Sequence, residues 1–244
     1  TERKQAEEKI HRQVGYLTAL REIDHTIAST FDMRLSLNSL LSQTVSLLAV
    51  DAAAVLLGNS TLKTLNYAAG LGFRTKVAES AEIKLGASHA GKVAMERRLI
   101  QIPDLAEEPD NLLLTRLLEG EKFVSYHGVP LLVKGKVIGV LEIFHRAYVK
   151  RDQEWLDFLD TLAGQAAIAI DNAQSFERMQ TSNTELMLAY DATIEGWSRA
   201  MDLRDKETEG HTQRVTELTL KLAAALGTRQ GDLMHIRRGA LLHD

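Results

Sequence analysis

The sequence predicts an α+β domain, then one long helix, then an all-helical segment. Three features carry this expectation. Short apolar runs separated by turn residues fill the stretch between residues 52 and 144, with helical periodicity on both sides. All three prolines, Pro103, Pro109 and Pro130, fall inside that stretch, so everything after Pro130 is free to form uninterrupted helix. From Asp152 onward, apolar or small residues recur in steps of four and three for about fifty residues, which is a heptad repeat.

In chain order, Ile10, Val14, Leu17, Leu20, Ile23 and Ile27 predict an N-terminal amphipathic helix over residues 1–30. Leu37, Leu40, Leu41, Val45 and Leu48 give the buried stripe of a second helix over 35–50. Residues 52–57 and 62–69, joined through Gly58-Asn59-Ser60, read as a β-hairpin. Residues 88–97 read as helix, 99–102 as a strand ended by Pro103, and 112–118 as a short helix. Residues 123–126 and 128–133 read as strand, Lys134-Gly135-Lys136 as a tight turn, and 137–144 as the returning strand of a second hairpin. The mixed domain is expected over residues 15–150.

The heptad stripe runs through Leu159, Leu162, Ala166, Ala169, Ala173 and Phe176, and resumes at Met187, Tyr190, Ile194, Trp197 and Met201. Gln180 and Asn183 occupy the seam between, where polar residues weaken a coiled coil while fixing its register. The expectation is a two-stranded coiled coil over residues 151–203, making the protein a homodimer; the alternative is one long helix packed on its own domain. Residues 208–226 and 230 onward then read as two further helices separated by Gly227. Ending on the apolar run Ala240-Leu241-Leu242, without a polar tail, predicts a fragment of a longer protein whose last domain is present only as its opening.

Composition excludes several classes. The 244 residues carry 29 Lys+Arg against 33 Asp+Glu, a formal charge of −4, which argues against a nucleic-acid partner. With no cysteine there is no disulfide, no thiolate metal site, no thiol nucleophile and no thioether-linked cofactor. No apolar run has the length of a membrane span, since Asp51 breaks the nearest one, and the charged first residues do not form a signal sequence. The expectation is a cytoplasmic protein without a membrane partner.

Three segments resemble a GAF domain: Leu85-Gly86-Ala87-Ser88-His89-Ala90-Gly91-Lys92-Val93-Ala94, then Ile100-Gln101-Ile102-Pro103-Asp104, then the hairpin from Val129-Pro130-Leu131 through Lys134-Gly135-Lys136 to Gly139-Val140-Leu141. The resemblance implies a six-stranded-type antiparallel sheet flanked by helices, with a small-molecule pocket on one sheet face. The motif arrangement of cyclic-nucleotide-binding members is absent, so the sensed ligand is left open. His89, His127 and His145 are the candidate polar groups for it, against the simpler reading that each is a surface or satisfied core histidine.

A second constellation pairs Asp205-Lys206-Glu207-Thr208-Glu209-Gly210-His211-Thr212-Gln213-Arg214-Val215 with Gly239-Ala240-Leu241-Leu242-His243-Asp244, thirty-two residues later. Imidazole and carboxylate suit Mn²⁺ or Fe, and paired metals can hold a phosphodiester and activate water. Together these segments resemble the opening of an HD-GYP domain, a subgroup of HD metal-dependent phosphohydrolases, over residues 204–244. The resemblance implies His211, His243 and Asp244 as metal ligands, Asp244 bridging, with Glu207 an additional ligand or else a helix N-terminal charge. Arg214 is expected in a structural salt bridge. The resemblance further implies a GAF sensor regulating hydrolysis of cyclic di-GMP. The segments that would complete the metal centre are missing, so this chain is expected to hold no metal and to be inactive alone, a Fe or Mn centre belonging to the parent protein. Two alternatives stand beside this: a non-catalytic GAF dimerisation or ligand-binding module, and an HD phosphohydrolase acting on another nucleotide.

Overall fold

A computed structural model describes residues 2–59, 61–76, 82–107, 120–149, 151–204 and 210–243. The predicted helix over 112–118 and residues Glu207 and Asp244 lie outside the described residues. The chain divides into two units, Thr1–Phe176 and Glu177–Asp244.

In the first unit, α1 (Glu2–Ser29) and α2 (Met33–Leu47) lead into the sheet. The carboxylate of Asp32 starts α2 by accepting from the Arg34 and Leu35 amides at 2.9 and 3.1 Å, two donors that the first turn leaves without intrahelical partners. Strands β1 (Ala52–Asn59) and β2 (Thr64–Leu71) form the first hairpin, and β3 (Glu82–Lys84) follows β2. Next come α3 (His89–Glu96), capped by the Ser88 hydroxyl, and β4 (Ile100–Ile102). The second hairpin consists of β5 (Ser125–Val133) and β6 (Lys136–His145). Its two-residue loop has positive φ at both Lys134 (48°) and Gly135 (77°), the geometry whose twist matches paired strands. The sequence divided residues 123–133 into two runs; β5 is instead one strand, because Gly128 keeps its ladder place opposite Glu142.

The sheet is antiparallel, in the order β3-β2-β1-β6-β5-β4. Its two faces follow from the period-two alternation of strand side chains. Ala53, Val55, Val129, Leu131, Leu141 and Ile143 point to the helix side, where they pack with Ile23 of α1, Leu37, Leu40 and Leu41 of α2, and the start of helix α4 (Gln153–Arg204). The other side carries Leu56, Leu65 and Val140 beneath Ala90 and Val93 of α3, and continues to Ala52, Ile102, Tyr126 and Phe144. Backbone contact there is close: a Cβ on Gly91 would stand 2.7 Å from both the Gly86 nitrogen and the Lys84 oxygen, so α3 can approach β3 only with glycine at that position.

Helix α4 starts when the Asp152 carboxylate accepts from the Trp155 amide at 2.9 Å. Leu159, Leu162, Ala166, Ala169 and Ala173 are buried in the first unit, the first four within its helix-side core. The first half of the heptad stripe therefore serves its own domain, because the sheet already offers an apolar face at the spacing the stripe presents. Tyr16 of α1 stacks on Phe158 with centroids 3.7 Å apart, and Arg12 reaches Asp152 at 3.2 Å.

In the second unit, the remainder of α4 is joined by α5 (His211–Ala225) and α6 (Gln230–Leu241). Ile194, Ser198, Thr212, Thr216, Ala240 and Leu241 are buried, and Arg238 donates to Asp191 at 2.7 Å while lying over the Tyr190 ring. This contact holds the Asp191 carboxyl below its usual range, the Arg238 hydrogen bond being the main cause. Among the described residues, no helix is long and apolar enough to cross a membrane.

Candidate functional site

The α3-side face of the sheet brings together polar side chains that strand alternation places under cover. On β6, Val140, Glu142 and Phe144 share this face, so Glu142 is buried at 5% exposure between two apolar neighbours. On β5, Tyr126 is fully buried and its ring lies edge-on to Phe144 at 5.3 Å. The His89 ring, at the first position of α3, sits 5.4 Å from the Tyr126 ring. Phe73 and Phe123 close an aromatic cluster, 5.7 and 4.8 Å from Phe144.

Burial raises the Glu142 carboxyl to about 7, an effect partly opposed by its interaction with the Tyr126 hydroxyl. Burial and the Glu142 charge together push the Tyr126 phenol well above its ordinary value. Although the two groups interact, neither the Tyr126 hydroxyl nor Oε1 of Glu142 completes a hydrogen bond of good geometry. The pair is therefore a buried acid and phenol with unspent donor and acceptor capacity.

At the margin of this face, Glu121 ties three segments together. Its fully buried carboxylate accepts from the Arg74 amide at 2.8 and 2.9 Å, from the Thr75 amide at 2.7 Å and hydroxyl at 2.9 Å, and from Arg146 at 2.8 Å. Burial alone would raise this carboxyl, but these donors outweigh it and hold it below the ordinary value. Arg146 also donates to the Glu121 and Gly72 carbonyl oxygens and lies 4.6 Å over the Phe123 ring.

The three candidate histidines separate. His89 joins the α3-side face. His127 and His145 sit on the opposite face, at 5% and 1% exposure, with rings 5.7 Å apart under Trp155. Burial lowers both to about 4; the Arg151 cation adds to this at each, and the paired histidine adds at His127. Both are neutral residues at the root of α4 rather than members of the polar pair across the sheet.

In the second unit, His211 is the first residue of α5 and His243 follows α6, with ring centroids 5.8 Å apart. A ring nitrogen binds a divalent metal at about 2.0–2.2 Å and the centroid lies about 1.1 Å beyond, so two imidazoles sharing one ion have centroids within about 6.5 Å. Nδ1 of His243 donates to the Ala240 carbonyl oxygen at 2.9 Å, which orients the ring. The His211 and His243 centroids lie within that separation. Among the described residues, no group of three or more metal-ligating side chains gathers anywhere. The same unit holds a cleft of about 300 Å³ with Arg199, Arg237 and Gln213 on its wall, donors suited to phosphate oxygens, where Glu195 already accepts from Arg237.

Sequence reasoning missed Tyr126, Glu142, Glu121 and Arg146. The signal for Glu142 was present: in Val140-Leu141-Glu142-Ile143-Phe144 the charged residue shares its face with Val140 and Phe144, so alternation alone buries it. Nothing local marks the contact between Glu121 and Arg146, which are 25 residues apart, or that between Glu121 and Arg74, 47 residues apart.

The family model described as GAF domain matches residues 32–170, more than half of the chain. Solved structures give the same fold. The GAF domain of a phosphoenolpyruvate-protein phosphotransferase from Coxiella burnetii aligns with TM-score 0.61 and 21% identity, over 68% of this chain and 98% of that one. The corresponding Acinetobacter domain aligns with TM-score 0.57 and 22% identity, over 65% and 94%. A GAF domain/HD domain protein from Geobacter sulfurreducens aligns with TM-score 0.53 and 16% identity, over 61% and 97%. No curated protein matches the chain. With the sheet order, the flanking helices and the matched span in agreement, the chain belongs to the GAF domain family.

Proposed function

We propose that this is a signalling protein in which a GAF sensory unit controls, through α4, an HD-GYP-type metal-dependent phosphohydrolase acting on cyclic di-GMP. The observation that carries the enzymatic half is the approach of the His211 and His243 rings to 5.8 Å from positions thirty-two residues apart. His211 and His243 would hold a divalent metal such as Fe or Mn, joined by Asp244 and Glu207. When bound, the metal polarises a phosphoryl oxygen and supplies activated water. The chain's own contribution is to fix the His243 tautomer through Ala240 and to present both rings from helix ends. Support for the pairing of domains comes from the similar protein from Geobacter sulfurreducens, described as a GAF domain/HD domain protein.

The test is Mn²⁺ titration by calorimetry and cyclic di-GMP hydrolysis, both measured on the full-length parent protein. His211→Ala and His243→Ala should each abolish metal binding; retained binding or retained hydrolysis sinks the assignment. Hydrolysis of another nucleotide in place of cyclic di-GMP would keep the enzyme and change its substrate.

The homodimer belongs to the same proposal. Met179, Leu186, Leu188 and Tyr190 are exposed on α4 beyond the first unit, and Met187 less so, which suits a partner helix. Gln180→Leu with Asn183→Leu should raise the dimer fraction in light scattering and remove signal dependence. Unchanged signal dependence would reject the seam as transmitter.

A second reading has one observation in its favour. Phe73, Phe123, Tyr126 and Phe144 fill much of the α3-side face with rings packed on one another. On that reading the GAF unit is a structural module that binds no small molecule.

A further inference from the structure

The α3-side face carries a group that sheet packing does not require. The direct cross-strand neighbours of Glu142 are Ala54 on β1 and Gly128 on β5, so the carboxyl rises from a floor of the smallest side chains. The Tyr126 hydroxyl leans into the space above Gly128, 2.4 Å from where a Cβ would stand there. Around Glu142, β1 contributes Ala54, β5 contributes Tyr126, and α3 contributes His89 against the Tyr126 ring. Among the described residues no lysine or arginine pairs with the carboxyl; Glu142 and Tyr126 interact with each other, but neither Oε1 nor the hydroxyl completes a hydrogen bond of good geometry. An unpaired buried carboxylate is costly, and an apolar residue in its place would simply continue the core. The rings of Tyr126 and Phe144 stand beside it, and aromatic faces attract cations.

A buried carboxyl, a phenol oxygen and aromatic rings together are the chemistry that recognises an organic cation. We propose that Glu142 and Tyr126 are the recognition point for a small organic cation bearing N–H donors, a protonated amine or an amidine. This rests on the reading of the GAF unit as sensory. The cation donates to Oε1 of Glu142 and to the Tyr126 oxygen, and the bonds to Glu142 are charge-assisted because the carboxyl is ionised in the complex. Binding therefore displaces the carboxyl proton into solvent, and ligand and proton compete for one site.

The test uses benzamidine, benzamide and benzoate, a cation, a neutral molecule and an anion of similar shape, titrated into the whole chain by calorimetry. Benzamidine should bind best. Its affinity should rise about tenfold between about pH 6 and about pH 8 as the proton leaves, with protons released to buffer. Glu142→Gln should cost about tenfold or more and flatten the pH dependence, while Tyr126→Phe should weaken binding by a smaller factor. Tyr126→Phe and the wild-type pH profile decide the matter even if Glu142→Gln folds poorly. Benzamidine binding that Glu142→Gln leaves intact, benzoate or benzamide binding as tightly as benzamidine, or no binding of benzamidine each overturns the proposal. Benzoate or benzamide binding that survives Glu142→Gln would keep the face sensory and remove only the cation; the α4 seam variants test the sensory reading independently.

Discussion

On the helix side of the sheet, His127 and His145 lie under Trp155 and are neutral throughout the physiological range, because burial holds both near 4. On the α3 side, burial of comparable depth holds Glu142 near 7, inside that range. One physical effect acts on both faces, since desolvation disfavours whichever form is charged. It moves a base away from neutrality and an acid toward it. The helix side is thereby a settled core against which α4 is anchored, and the α3 side keeps a group whose charge still responds to pH or to a ligand.

The largest expected effect breaks the margin of the α3 side. Glu121→Ala removes a carboxylate with donors on two other segments and takes from Arg146 its closest carboxylate, and should cost about 3–5 kcal/mol in urea unfolding. A loss near zero would mean that Arg146 is rehydrated without strain. Next, Leu159→Ala opens a cavity in the helix-side core and should cost about 3 kcal/mol, whereas Val93→Ala beneath α3 should cost about 1–2 kcal/mol. Equal losses would show that the two faces are packed alike.

Two pH experiments sharpen the contrast. Glu142 has a folded value raised to about 7 above an ordinary 4.5, so its stability contribution is present below 4.5 and is lost as pH rises through 7. Relative to Glu142→Gln, the wild type should lose up to about 3 kcal/mol across that window. The histidines have folded values depressed to about 4 from 6.5, so theirs is present above 6.5 and lost as pH falls through 4. Thermal melts of His127→Phe and His145→Phe should show weaker acid destabilisation than the wild type; an unchanged acid limb would place the loss elsewhere. The smallest effect is at the turn that registers both faces. Gly135 has φ 77° and open space around its would-be Cβ, so Gly135→Ala should cost only the backbone strain, about 1–2 kcal/mol.

Most of the elements were legible because period-two and period-3.6 patterns reflect local geometry. The hairpin turn at Lys134-Gly135, the start of α3 at Ser88 and the helical stretch after Asp152 all depend on neighbours within four residues. The functional face was legible only in part. Of the three candidate histidines, His89 lies on the α3-side face, whereas His127 and His145 fall on the helix-side positions of β5 and β6, a division that only strand register decides. Glu142 was visible only once strand register was assigned, and the Glu121–Arg146 contact joins residues that no local pattern relates.

The sequence alone determined the α+β class, the proline-free long helix, and the absence of thiol chemistry, because composition and periodicity are properties of the chain itself. Tertiary structure decided what the heptad stripe is for. The same spacing runs from Leu159 to Met201, but Leu159 through Ala173 are buried in the first unit, while Met187, Tyr190 and Trp197 are exposed. A periodic stripe states only that one helix face is apolar; which surface covers it depends on what else the fold brings within reach.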